Sequence, residues 1–515
     1  MSNEEKLLEL IEREEEVSPM LVYRCQTMAI VESLGYTDRI VKEEFGFADV
    51  LEIGEYIYQQ NNPPPPKQET LPTSRSSWRN KISREIYAFV EQFSRSFVYA
   101  IPLISLLIFG NVESGDTWKF IPPQLAALFT LATLASLITS GGFVQAIARR
   151  GEFYLGLGLP QQARRACVSL LSLGMLTSFC LAVMSLWFGF YRGLFADEYL
   201  VLGTGYYLVL SLLWMLLSIL SLLSVWGTPV TLIGLTTLFW MIKFKANMGA
   251  LESQIMAIFL VLILLLVTIL ILFRRQQTIN PTKEKIDLPK LSATVYLLAP
   301  FFSYGITYFC FIFADRLVAG WAVDSASGLI FAIDSDYQRA MDLALLNFLL
   351  AVPLSEYLAY RLIRYWYQQA KMVKLENMAV LSNKLNHRYW LIISIILLFF
   401  GLLTAFTVGI PTPKPWATIN SPLTIMGCLG YLFLVIGLFN AVVLFSLNLT
   451  SAVISTLFPS LILNLTVGYL AANAIAPEWA VLGLVFGSTV FMLLSRQRVL
   501  HAIKNPDYAY YLGGY

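Results

Sequence analysis

Two hydrophobic patterns divide the chain. From about residue 87 onward, apolar runs recur at a length near the roughly twenty residues that carry a helix across a bilayer. Short polar segments separate them and hold most of the charges. In hydrocarbon such a run must be helical, because a helix satisfies its own backbone hydrogen bonds. The runs predict about twelve spans, near 87–110, 123–147, 166–189, 200–223, 226–244, 254–273, 292–316, 338–360, 390–410, 421–444, 448–474 and 478–495. Only the region around Ser224–Gly227 separates spans four and five, and a short uncharged turn near Asn448 separates spans ten and eleven. Each turn falls between the fourth and fifth members of a block of six. The expected fold is therefore an all-α integral membrane protein of about twelve transmembrane helices in two six-helix halves.

The second pattern lies ahead of the spans. Residues 1–62 place Leu7, Leu8 and Ile11 at a helical rhythm among many glutamates, and Ser18-Pro19 reads as an N-cap followed by proline in the first turn. Breaks at Gly35 and Gly46 predict short helices, so this segment is expected to be a small helical cytoplasmic module. Residues 63–84 follow as a proline-rich and basic linker, Pro63 to Pro66 favouring an extended polyproline conformation. The membrane domain is assigned to 85–500 and a cytoplasmic tail to 501–515. The opening residues MSNEEKLLELIEREEE are acidic, opposite to the basic start of a signal peptide.

Composition agrees with this division. Only 14% of residues are charged, against about 25% in soluble domains. Basic residues concentrate in alternate connections: Arg75, Arg79, Lys81 and Arg84 before span one; Arg149, Arg150, Arg164 and Arg165 between spans two and three. The same holds for Arg274, Arg275 and Lys283 after span six, Arg361 to Arg388 after span eight, and Arg496, Arg498 and Lys504 in the tail. With twelve spans these share one side, which the positive-inside rule makes cytoplasmic, with both termini. Lys243 and Lys245, after span five, are the exception.

Cys25, Cys167, Cys180, Cys310 and Cys428 form no CxxC spacing and no Cys/His cluster, so neither a disulfide framework nor a zinc site is expected. No phosphate-binding GxxxxGK[ST] loop and no HExxH occurs. The seventh-to-eighth connection, about twenty residues long, is too short for a catalytic domain. The expectation is a protein that is not an enzyme, with no cofactor, no metal and no nucleic-acid partner.

Chemistry is expected where charge or polarity enters the spans. Residues 300–325 carry a dense set of aromatics and then Asp315 beside Arg316. Ionisable groups near hydrocarbon need a partner, water or a route to the interface. Neighbours on a helix diverge by about 100°, so the pair cannot simply neutralise itself. Glu356, three residues after Pro353, is the leading intramembrane carboxylate. Ser136, Thr139, Ser140, Gly141, Gly142 and Gln145 make the end of span two small and polar, which suits close helix packing or a substrate-lining face. Gln145 can hydrogen-bond hydroxyl groups and Tyr304 can stack on an apolar ring face. The expected substrate path is Gln145, Tyr304, Asp315, Arg316 and Glu356; the competing reading of the charged pair is an interfacial anchor. Glu91 and Arg95 share a helix face at the start of span one, and Pro102, Pro229 and Pro353 are expected kinks.

Four stretches carry a resemblance: SREIYAFVEQFSRSFVYAIPLISLLIFG, SLITSGGFVQAIARRGEFYLGLG, SYGITYFCFIFADRLVAGW and YQRAMDLALLNFLLAVPLSEYLAYRLIRYWYQQ. Together they resemble the Pel exopolysaccharide exporter family, the PelG-like proteins, within the flippase superfamily of multidrug and oligosaccharidyl-lipid exporters. The likeness runs from about residue 84 to 500. It implies a twelve-span exporter in a bacterial inner membrane, working with a polysaccharide synthase or glycosyltransferase among membrane lipids. Alternating access or a synthesis-fed polar path would move the polymer. The alternatives are a flippase for lipid-linked oligosaccharide, an ion-coupled drug exporter, or a membrane scaffold of a synthase complex. The N-terminal module is extra to that family's core.

Overall fold

A computed structural model describes residues 28, 31–32, 36–61, 89, 123–246, 249–279, 291–323, 331–332, 335–370, 378–409 and 421–506. The chain divides into two compact units, Met1–Tyr87 and Ala88–Tyr515. In the first, helices α1 (Asp38–Glu44) and α2 (Val50–Asn61) share a small core of Val31, Val41, Val50, Ile53 and Ile57. The turn between them uses Gly46 at φ +80°, a left-handed conformation that favours glycine. Two carboxylates then fix the start of α2. Asp38 accepts from the Val50 amide at 2.9 Å, and Asp49 from the Glu52 amide at 2.8 Å.

The second unit contains eleven described helices long and apolar enough to cross a membrane. They are α3 (Pro123–Gly156), α4 (Pro160–Arg192), α5 (Asp197–Leu223), α6 (Gly227–Ala246), α7 (Ala250–Ile279) and α8 (Leu291–Ala322). After these come α9 (Ser335–Ala370), α10 (Met378–Gly409), α11 (Ser421–Ser446), α12 (Thr450–Ala474) and α13 (Val481–Lys504). The chain is a multi-pass membrane protein, and its described residues include no strand. The expected first span, with Glu91, Arg95 and Pro102, lies outside the described residues apart from Phe89.

Three expectations need correction. The basic residues assigned to connections stand instead on helices that outrun the hydrocarbon: Arg149 and Arg150 on α3, Arg164 and Arg165 on α4, Arg361 and Arg364 on α9. Long cationic side chains reach the interface from within a helix, so the backbone need not break where charge begins. Pro229 is not a kink, because it lies in the first turn of α6, where its missing N–H would have no intrahelical partner. The interior prolines of the described helices are Pro300, Pro353 and Pro459. Lastly, the seventh-to-eighth connection is shorter than expected. α8 continues to Ala322 and α9 begins at Ser335. Ala332, just ahead of α9, donates back to the Gly320 carbonyl at 2.9 Å.

Buried side chains form two cores. One joins α3 to α7 through residues such as Ile147, Met215, Leu216 and Leu265; the other joins α8 to α13 through Phe311, Phe348, Tyr431, Phe439 and Phe491. Helix pairs repeat between them. α3 packs on α5 as α9 packs on α11, α5 on α7 as α11 on α13, and α6 on α7 as α12 on α13. The tight turns recur as well: α5 and α6 join through Ser224, and α11 and α12 through Asn448 at φ 57°. Asparagine tolerates that left-handed conformation better than most residues.

Candidate functional site

The two cores meet where α3 crosses α8, and glycine sets the distance. A β-carbon at Gly141 would lie 2.9 Å from the Gly305 carbonyl and closer still to the Phe309 ring. One at Gly305 would strike the Gly141 carbonyl and come within 3.0 Å of Gln145 Cγ. Gly142 faces the Phe302 ring in the same way. The hydroxyls of this stretch turn mainly toward α5. Thr139 accepts from the Tyr207 hydroxyl at 3.0 Å, and Ser136 from Trp214 Nε1 at 3.3 Å. Ser218 donates to the Val144 carbonyl at 2.9 Å. The small polar half of α3 is thus a packing surface on two sides, and Gln145 remains half-buried at the crossing.

An aromatic group gathers beside that crossing. On α8, Tyr304 stacks with Tyr308 at 5.8 Å, and Tyr304 meets Phe445 of α11 edge-on at 4.7 Å. Phe301 also stacks on Phe445, and the Arg149 guanidinium from α3 lies 5.1 Å from the Phe301 centroid. Glu356 of α9 is half-buried and close enough to act electrostatically on both Tyr304 and Tyr308. The fold therefore brings Gln145, Tyr304 and Glu356 from three helices into one region. Its parts are ring faces that can stack, an amide and a carboxylate that can hydrogen-bond, and a cation at the rim.

Asp315 and Arg316 belong to a separate group about 18 Å further along α8, at 1.5 Å per residue. Both are buried, with 1% and 7% exposure, so neither faces lipid. Each has its own partner from α9. Arg316 Nη2 lies 2.9 Å from Asp342 Oδ1, and the Tyr337 hydroxyl donates to Asp315 Oδ2 at 2.9 Å. Tyr431 of α11 is buried beside the arginine. Among the described residues, Asp315 Oδ1 and Arg316 Nε have no hydrogen-bond partner. Two carboxylates around one guanidinium leave the group one negative charge in its ionised state.

Sequence reasoning passed over several members of these groups. Asp342 carried a readable signal, being a carboxylate inside the expected eighth span. Tyr337, Tyr431 and Phe445 carried none, since aromatic residues crowd every span. Arg149 was read as a topology determinant, and only its approach to Phe301 links it to the crossing. No group of three or more His, Cys, Asp or Glu able to hold a metal ion occurs among the described residues.

No protein-family model matches the chain, and no curated protein matches it in sequence. Solved structures do match its fold. The crystal structure of the eukaryotic MATE transporter AtDTX14 superposes with a TM-score of 0.56 at 14% identity, covering 84% of this chain and 99% of that one. The outward-facing conformation of a multidrug resistance MATE family transporter of the MOP superfamily gives 0.51 at 14%, covering 80% and 96%. A MATE in complex with MaL6 gives 0.52 at 13%, covering 81% and 97%. At such identity the likeness is one of fold, and it spans nearly the whole of each relative.

Proposed function

We propose that the chain is a membrane transporter that exports a polysaccharide by movement of its two halves about the α3–α8 crossing. The observation that carries this reading is the group at that crossing, Gln145, Tyr304, Tyr308, Glu356 and Arg149, gathered from three helices. Alternating access places cargo between two bundles that rock about a fixed site, which is where these side chains lie. The likeness to MATE transporters supports the transporter part, and the resemblance of spans one, two, seven and eight to PelG-like exporters supports the sugar cargo. In this reading the protein resides in a bacterial inner membrane and receives its polymer from a synthase. Its basic helix ends and both termini face the cytoplasm. A second reading, an ion-coupled exporter of small molecules, draws on the surplus negative charge around Arg316, which suits a coupling cation.

The test is secretion by cells whose own copy is deleted. Gln145→Ala, Tyr304→Ala and Glu356→Gln are each expected to lower secreted polysaccharide about tenfold, the effect of about 1.4 kcal/mol, at unchanged protein level in the membrane. Full secretion by all three variants sinks the reading. Unchanged secretion with impaired efflux of a dye substrate favours the second one.

A further inference from the structure

A half-open cleft of about 550 Å³ lies away from the α3–α8 crossing, between the end of α9 and the start of α10. Tyr365 lines it from α9, and Val380, Asn383, Lys384, His387 and Arg388 line it from α10. The Arg388 guanidinium lies 3.3 Å from the Tyr365 ring centroid. A planar guanidinium held against a ring keeps its N–H edge free to bind phosphate oxygens in pairs. Lys384, His387 and Arg388 are all exposed. Among the described residues no carboxylate forms an ion pair with any of them.

The same face of α10 continues as an apolar stripe. Leu391, Ile395, Leu398, Leu402 and Phe406 are exposed and follow Lys384 and Arg388 at steps of three or four, so all lie on one face. From Leu391 to Phe406 the stripe is about 22 Å long at 1.5 Å per residue. That exceeds the depth of one leaflet, about half of a hydrocarbon core about 30 Å thick. At the level where the cations give way to the stripe, Trp390 on another face of α10 meets the Arg496 guanidinium 4.7 Å from its ring, the arrangement of a membrane–water interface.

We propose that this cleft is a binding site for an anionic phospholipid. The phosphate is held by Lys384 and Arg388, with His387, Asn383 and the Tyr365 hydroxyl as further polar contacts, and the acyl chains lie along the α10 stripe. A soluble anion would use the cations alone. The continuous apolar line, long enough to lie along acyl chains through a whole leaflet, is what selects a lipid, and basic pockets between membrane helices are suited to such headgroups. The site does not depend on the transport reading, because none of its residues belongs to the crossing.

The experiment uses the full chain, delipidated in detergent. Phosphatidylglycerol is titrated in while thermal unfolding is followed, and native mass spectrometry counts retained lipid. The expected result is a saturable rise in the unfolding midpoint. In Lys384→Gln/Arg388→Gln the apparent lipid affinity falls about 30-fold, equivalent to about 2 kcal/mol for two surface cations. The control Arg274→Gln/Arg275→Gln, at the exposed end of α7, keeps wild-type affinity, and inorganic phosphate alone produces no midpoint shift. Equal loss in both double variants would mean general surface electrostatics and overturn the site. A shift with inorganic phosphate alone, matching that with lipid, would identify a soluble anion and overturn the lipid assignment.

Discussion

Arg316 is enclosed to all but 7% and faces one carboxylate across 2.9 Å, with a second carboxylate next to it in the chain. Removing the guanidinium leaves Asp315 and Asp342 without a cation. Breaking a buried pair from one side costs about 3–5 kcal/mol, whereas replacing both partners with apolar side chains is often neutral. Asp342 keeps 27% exposure, so the lower end of that range applies. Arg316→Ala is expected to lower stability by about 3 kcal/mol in a denaturant titration in micelles. Arg316→Met/Asp342→Leu should recover most of the loss. An Arg316→Ala protein as stable as the wild type would mean that water already solvates the group. A double variant worse than the single would show that the charges hold the bundle in register.

At the scale of helices, two kinds of glycine contact can be compared. Gly141 and Gly305 let α3 and α8 cross between the two cores; Gly468 and Gly483 let α12 and α13 cross within one. In both cases the added β-carbon meets backbone, which cannot swing aside as a side-chain tip can. Overpacking of this kind costs about 1–3 kcal/mol. Gly305→Ala and Gly483→Ala are therefore expected to destabilise by similar amounts. They should part in function if the proposed transport reading holds: Gly305→Ala then slows transport at matched protein level and Gly483→Ala does not, because in that reading only the first crossing lies between the halves that move. Equal transport by the two variants would remove the crossing as a pivot.

Taken whole, the described part of the membrane unit is two packed bundles that meet along the α3–α8 crossing. Besides α3 against α8, the Phe89 ring meets Tyr357 of α9 at 5.2 Å, so a residue of the expected first span touches the other bundle too. Successive helices joined by short connections reverse direction, and the cationic ends of α3, α7, α9 and α13 then share one side. Lys243 and Lys245 at the end of α6 face the other. The majority decides orientation under the positive-inside rule. Reporter fusions near residue 70 and after residue 505 should both report cytoplasm. An outer-side signal from either one would require an odd number of spans or the opposite insertion.

Helix number, order and the two tight turns could be read along the chain, because hydrocarbon imposes one local solution on any long apolar run. The need of Asp315 and Arg316 for separate partners could be read as well, since the angle between neighbours on a helix is fixed. Which partners they take could not. Tyr337 and Asp342 lie on the next helix, at positions set by the tertiary arrangement of α8, α9 and α11. Helix ends were misread at Arg149, Arg150 and Arg361 because hydropathy falls where hydrocarbon ends, while backbone hydrogen bonding continues. The gathering of Gln145, Tyr304 and Glu356 was equally hidden. It depends on the closeness of α3 to α8, and that distance is set by two glycines, Gly141 and Gly305, which are 164 positions apart in the chain and show in the sequence only as small residues.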